Sequence, residues 1–293
     1  MSLSGPTHPA TAGGVRTQMA TLADGRAIRY RRMGPGQGAS IAPTPTVPNP
    51  IVPTPIVMVH GFAGELLTWA ACQVPLAARH TVLALDLPGH GGSSQDLGAG
   101  GVPGQADALL AFLDAVGIGR AHLVGHSLGG AVVLQAALSR PGRAASLTLV
   151  APGSLGEEAD TGFVDRLLAA DDPQALAAAL RPLYADPGLV TPELGELVLA
   201  ALSGPGVRAT LRRLAGQCFA PGRQRLVLRD RLAELAVPVQ LLWGTDDAIL
   251  PARQARGLPP AVAVHLFPGQ GHMLPIEAAA GVNRLIEAIV AAG

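Results

Sequence analysis

The feature that most constrains this chain is a series of short, continuous apolar runs separated by longer helical stretches. The runs are PIVMVHG (55–61), TVLALDLPG (81–89), AHLVGHS (121–127), SLTLVAP (146–152), PVQLLWG (238–244) and VAVHLFPG (262–269). They do not alternate apolar with polar, as half-exposed strands would. Unbroken runs of this length suit strands buried on both faces of a parallel sheet. Parallel neighbours need a crossover between them, and stretches 68–79, 105–116, 128–139 and 276–291 supply helices for that purpose. The alternation specifies an α/β sheet with helices on both faces.

Two segments depart from that rhythm. At the start, TQMATLADGRAIRYRRM (17–33) holds two alternating runs around Asp24-Gly25, which reads as a hairpin. Between strands, 153–236 has no convincing strand and reads as several helices. Asp172-Pro173 and Thr191-Pro192 each place a capping side chain before a proline at the first helical position. Leu176, Leu180 and Leu183, then Leu194, Leu197 and Leu202, follow at helical spacing. We expect a helical lid with a return helix at 153–236, inserted after the sixth strand. It divides the core into 17–152 and 237–293. Residues 1–16 are expected to form a flexible tail. The stretch 35–55, with six prolines from Pro43 to Pro55, is expected to be a surface insertion.

Composition narrows the chemistry. All 21 basic side chains are arginine, so no lysine on this chain can form a Schiff base, bind phosphates in a P-loop, anchor pyridoxal phosphate, or carry lipoyl or biotin. The 21 acidic side chains cancel the charge, which gives no reason to expect nucleic acid or an anionic membrane as partner. The N-terminus lacks the apolar run of a secretory signal, and no uninterrupted apolar stretch reaches membrane-spanning length; a cytoplasmic location is expected. Cys72 and Cys218 stand alone and read as buried free thiols.

The chemistry centres on Gly125-His126-Ser127-Leu128-Gly129, followed by Gly130. This string ends the strand AHLVG and opens the helix GGAVVLQAAL. A strand–turn–helix with serine at its apex strains the serine backbone and packs its neighbours so closely that they must be glycine. The Ser127 hydroxyl is thereby lifted into a cleft beside a helix N-terminus. A serine nucleophile needs a base, and the base needs an orienting acid. His272, in the loop of FPGQGHMLPIE after the last strand, is the expected base. LLWG-Thr245-Asp246-Asp247 offers two acids, of which the Gly-x-x-Asp spacing favours Asp247. Two backbone N–H groups are expected to hold the oxyanion: that of Leu128, next to the nucleophile, and that of Phe62 in the turn His60-Gly61-Phe62-Ala63-Gly64. His60 and His90 read as structural histidines. No metal-binding pattern accompanies them, and neither metal nor cofactor is expected.

HGFAG, DLPGHGGS, GHSLGG, LLWGTDD and GHM, in this order, closely resemble the α/β-hydrolase family over nearly all of 17–293. The resemblance implies an eight-stranded, mostly parallel sheet with a lid after strand six, and acyl transfer through an acyl-enzyme on Ser127. Serine at 127, where the haloalkane dehalogenase branch has aspartate, sets that branch aside. PLYADPGLVTPEL, LRDRLAELAVPV and GHMLPIEAAAGVNRLI are similar to the hydrolase-like C-terminal part of acetoin dehydrogenase acyltransferase subunits. Those subunits carry an N-terminal lipoyl domain; none is expected on this chain, so an acyltransferase role implies a lipoyl-bearing partner protein.

The expected function is hydrolysis of a small or medium acyl ester or thioester by a monomer or homodimer. The alternatives are carbon–carbon hydrolysis of a β-diketone type of substrate by the same three residues, and an interaction subunit with a vestigial triad. An alanine- and leucine-rich lid predicts an aliphatic pocket, with Phe163, Tyr184 and Phe219 as the aromatic side chains placed to reach it. Arg212, Arg213 and the group from Arg223 to Arg231 are read as a solvated face, with binding of an anionic substrate as the alternative.

Overall fold

The hairpin forms at the start of the chain, where β1 (Gln18–Thr21) and β2 (Ala27–Met33) pair antiparallel. Gly25 takes φ +87° in the turn, and Leu22 N–H donates to the Arg26 carbonyl at 2.8 Å. The computed structural model describes residues 16–35 and 53–292. Apart from residue 16, and from 35 and 53–55 at its edges, the expected tail 1–16 and insertion 35–55 lie outside the described residues.

The runs read as parallel strands become β3 (Ile56–Val59), β4 (Val82–Leu85), β5 (Ala121–His126), β6 (Ala144–Val150), β9 (Val239–Gly244) and β10 (Val262–Phe267). With β1 and β2 they make an eight-stranded sheet of order β1-β2-β4-β3-β5-β6-β9-β10. Pairing is antiparallel for β1 with β2 and for β2 with β4, and parallel everywhere else. Strands β3 to β6 are buried along their whole length, which accounts for their unbroken apolar sequences.

The alternation of strand side chains builds two cores. Val57 and Val59 of β3, with Leu83 and Leu85 of β4, face α2 (Gly101–Ala115) and α3 (Leu128–Ser139). Ile56 and Met58, with Val82 and Ala84, face α1 (Ala70–Leu76) and α9 (Ala279–Ala292) on the other side. A short helix, α8 (Leu274–Glu277), leads into α9, so the single expected helix at 276–291 is broken at Ala278.

Between β6 and β9 lie α4 (Gly162–Ala169), α5 (Pro173–Leu180), α6 (Pro192–Leu202) and α7 (Val207–Cys218). Both expected caps form. The Asp172 carboxylate accepts the Ala175 N–H at 2.8 Å, and the Thr191 hydroxyl accepts the Leu194 N–H at 3.3 Å. On α6 the apolar residues divide between the core and the exposed side. Leu194, Val198 and Leu202, spaced by four residues, pack on the core, whereas Leu197 is 69% exposed. Strand pairing also occurs where none was expected. After α7 the chain makes a two-residue hairpin of β7 (Phe219–Ala220) and β8 (Arg223–Gln224), too short to leave an alternating pattern.

Candidate active site

The connection after β3 runs to β4 on one side, and the connection after β5 runs to β6 on the other. The two loops part between adjacent strands, and such a switch point at the carboxyl edge of an α/β sheet opens a crevice. Two expected site segments, the turn after β3 and the turn at Ser127, meet there because Val59 is paired with Gly125.

Steric necessity fixes the serine turn. A Cβ on Gly125 would fall on the Gly129 carbonyl, one on Gly129 would fall on the Val59 and His60 carbonyls, and one on Gly130 would strike Pro152. Ser127 adopts φ +53° and ψ −117°, outside the regions a serine ordinarily takes. Such a conformation costs about 1–3 kcal/mol and persists only where its surroundings impose it. Here the Ser127 N–H donates to the Val150 carbonyl at 3.0 Å, while its own carbonyl accepts from Gly153 at 2.8 Å and Gly130 at 2.9 Å. Leu128 is the first residue of α3, so its N–H is one that a helix leaves without an internal acceptor. Phe62 lies across the crevice in the turn after β3, and both residues line the same cavity as Ser127.

That turn is held from behind. His60 is fully buried; its Nδ1–H donates to the Gly61 carbonyl at 2.7 Å, and its Nε2 accepts the Leu87 N–H at 3.0 Å. The Asp86 carboxylate accepts from the N–H groups of Leu66 at 2.7 Å and Gly92 at 2.9 Å, and pairs with Arg29. His90 packs 4.9 Å from His60, ring to ring. Burial pushes the His60 pKa down to about 4, and burial together with His60 pushes that of His90 down to about 3, so both are neutral imidazoles.

The acid and base come from the far side of the sheet. Gly244 ends β9 under the carbonyls of Gln270 and Gly271, where no side chain fits, and the two following loops run side by side. His272 Nδ1–H donates to Asp247 Oδ2 at 2.7 Å. The same Oδ2 accepts from the Trp243 indole at 3.0 Å, and Oδ1 accepts from Ile249 and Leu250, each at 2.8 Å. Burial opposes the charged form of Asp247. The His272 partner and the two backbone donors outweigh it, leaving the carboxyl below its ordinary pKa. Asp246 instead accepts the Thr245 hydroxyl at the surface. Four donors on one carboxylate fix the His272 ring with Nδ1 protonated, which leaves Nε2 as its basic nitrogen.

Several residues that frame this site carry no motif. Glu277 Oε2 accepts the Gly271 N–H at 3.1 Å, Oε1 accepts the Met273 N–H at 3.1 Å, and Oε2 also reaches at 2.9 Å the N–H of Ala185 in the cap, the helical segment between β6 and β9. The Leu183 carbonyl accepts the His272 and Met273 N–H groups at 2.9 and 3.1 Å. The histidine loop is thus stitched to the segment after α5. Gln224 of the small hairpin bridges Ser154 N–H and the Gly156 carbonyl, each at 2.7 Å. His126, next to the nucleophile in sequence, donates from Nε2 to the His272 carbonyl at 2.9 Å. Burial first, then His272, pushes its pKa down to about 3.

Ser127 and His272 open onto a cavity of about 400 Å³ between the sheet edge and the cap. Its wall is largely aliphatic, with Leu167, Leu180, Leu183, Leu194 and Val198 from the cap, and Phe62, Phe163, Tyr184 and Phe219 among them. Three of those aromatics are the ones the sequence placed within reach. Cys218 lies on the same wall, and burial pushes its thiol up to about 12. Cys72 is likewise a buried free thiol, in the opposite core. The arginines of the cap region look elsewhere. Arg212 donates to the Leu168 carbonyl at 2.8 Å, Arg225 to the Phe219 carbonyl at 2.7 Å, and Arg231 pairs with Glu234 at 2.8 Å. Among the described residues no helix is long and apolar enough to cross a membrane.

The family model described as "Alpha/beta hydrolase family" matches residues 56–285. The chain belongs to this family. It is 40% identical over 260 residues to the dihydrolipoyllysine-residue acetyltransferase component of the acetoin cleaving system of Pseudomonas putida, covering 89% of this chain and 65% of the relative. The component of the same name from Cupriavidus necator is 36% identical over 264 residues, covering 90% and 66%. The chain therefore spans just under two thirds of the length of these two relatives. A solved meta-cleavage product hydrolase from Pseudomonas fluorescens superposes with a TM-score of 0.78 at 20% identity, covering 94% of this chain and 98% of that one. That likeness is one of fold.

Proposed function

We propose that Ser127, His272 and Asp247 act as nucleophile, base and orienting acid in the hydrolysis of small or medium acyl esters or thioesters. The observation that carries this reading is the strained Ser127 turn opening onto the same cavity as a histidine whose Nδ1–H is committed to a buried carboxylate. His272 Nε2 takes the proton of Ser127 as its oxygen attacks the acyl carbonyl, and returns it to the leaving oxygen or sulfur. The N–H groups of Phe62 and Leu128 receive the developing oxyanion, aided by the positive end of α3. Asp247 keeps the ring in the tautomer the step requires. Water then repeats the sequence on the acyl-enzyme. Within this reading the helices from α4 to α7 form the lid over the substrate.

The similarity to acetyltransferase components supports a second reading, in which a dihydrolipoyl thiol carried by a partner protein exchanges acyl groups at Ser127. One experiment separates the readings. A fluorophosphonate probe labels wild-type protein and not Ser127→Ala if Ser127 is the nucleophile; equal labelling of both, or of neither, refutes the triad. A panel of simple esters, acyl thioesters, acyl-dihydrolipoamide and β-diketones then ranks the chemistries. Preference for acyl-dihydrolipoamide, with acyl transfer over hydrolysis, selects the second reading. Preference for the diketone selects carbon–carbon cleavage.

A further inference from the structure

The absence of lysine gives the cavity an unusual property that the positions of the arginines complete. All 21 basic side chains are arginines, and every one lies within the described residues. None of them lines the cavity beside Ser127. Cap arginines are committed to acceptors: Arg208 and Arg212 to the Leu168 carbonyl at 2.9 and 2.8 Å, and Arg225 to those of Gly216 and Phe219 at 3.0 and 2.7 Å.

The formally charged side chains on the cavity wall, apart from its histidines, are carboxylates. Glu65 pairs with Arg29 at 2.5 Å and Asp160 with Arg166 at 2.6 Å. Two wall histidines complete the set. His126 has its Nε2 on the His272 carbonyl and is buried. His272 has to be neutral to accept the Ser127 proton, so an anion that paired with it would hold it in the unproductive state. Neutral donors such as the Thr68 hydroxyl can serve a carbonyl or an alcohol, but they do not offset the loss of water around a carboxylate.

Resting on the serine-hydrolase reading above, we propose that the cavity selects uncharged acyl groups and rejects substrates bearing a carboxylate within a few bonds of the scissile carbonyl, such as monoesters of dicarboxylic acids. Selection acts through desolvation. A carboxylate entering this aliphatic wall loses its hydration and gains no cation, because the arginines paired with Glu65 and Asp160 are already neutralised by them.

The test uses three 4-nitrophenyl esters of similar length with the full chain: hexanoate, hydrogen glutarate, and glutarate capped as its methyl ester. Spontaneous hydrolysis of each is subtracted. The methyl-capped ester should match hexanoate within about fivefold in kcat/KM, whereas the free carboxylate should fall below the capped ester on the order of 100-fold. Hydrogen glutarate within about threefold of its methyl ester overturns the inference while leaving the hydrolase reading intact. Fluorophosphonate labelling of the same preparation keeps the two separable. Loss of Ser127-dependent labelling together with no turnover of any ester brings down the hydrolase reading, and the charge selection with it.

Discussion

The two halves of the site are held by different physics. The nucleophile half, from β3, β5 and α3, is fixed by backbone crowding: Gly125, Gly129 and Gly130 lie where a methyl group has no room, and Ser127 is forced to φ +53°. The base half is fixed by hydrogen bonds among segments far apart in the chain. Asp247 gathers four donors, and Glu277 with the Leu183 carbonyl grips the backbone around His272. The first half reaches the cap segment at its first residue, where the Gly153 N–H donates to the Ser127 carbonyl. The second is fastened to the cap through Leu183 and Ala185, so cap position and base orientation are coupled. Steric fixing gives a rigid element that fails abruptly, whereas a hydrogen-bond lattice can be weakened by degrees.

The contrast can be broken most severely at the acid. Asp247→Asn presents the His272 ring with an amide that can donate as well as accept, favouring the wrong tautomer. The expected loss is about 10⁴-fold in kcat on a 4-nitrophenyl ester with the fold retained by circular dichroism. A loss under about tenfold would remove Asp247 from the mechanism. On the steric side, Gly129→Ala drives a methyl group into the Val59 and His60 carbonyls. It should lower stability by about 2–4 kcal/mol in urea unfolding and cut fluorophosphonate labelling sharply at Ser127.

Glu277→Gln tests the graded half. One end of the amide turns a donor toward backbone N–H groups, and the grip on Gly271 and Met273 loosens. We expect kcat to fall about 10–30-fold, with the melting temperature nearly unchanged and the alkaline limb of the pH–rate profile preserved. An unchanged kcat would show that the His272 loop is held by Leu183 alone.

A last expected effect concerns pH and lies outside the catalytic residues. His60, His90 and His126 are buried and neutral, with pKa values lowered from the ordinary value of 6.5 to about 4, 3 and 3. The unfolded chain takes up a proton at each near pH 6.5 and the folded chain does not, so stability falls as pH drops below 6.5 towards 4. The slope is up to about 1.4 kcal/mol per pH unit for each histidine. Urea unfolding from about pH 7 to about pH 5 measures it, and His90→Gln should flatten the slope by up to about 1.4 kcal/mol per pH unit. An equal slope in the variant would mean that His90 does not contribute.

Much of the nucleophile half was legible because its cause is local. Gly-x-Ser-x-Gly-Gly sits within six residues, and the crowding that demands those glycines comes from the strand and helix they join, with β3 alongside. The His272–Asp247 contact was legible only as an order of residues. The choice of Asp247 over Asp246 rested on spacing, and the geometry puts Asp247 against His272 and Asp246 at the surface. Glu277 left no signal. It reads as an ordinary helical glutamate, and its role depends on Ala185, 92 positions away. The sequence left the inward face of α6 open because spacings of three and four are both helical, and packing against α5 chose the latter. There a Cβ on Gly195 would meet the Pro173 carbonyl.

The sequence by itself determined the strand–helix rhythm, the serine turn and a cation inventory made of arginine alone. Each follows from local sterics or from composition, which need no partner. Only the tertiary structure decided which carboxylate faces His272, how the cap is tied to the base, and that no arginine lines the cavity. These are contacts between segments brought together by the sheet, and no local pattern records where a distant side chain will point.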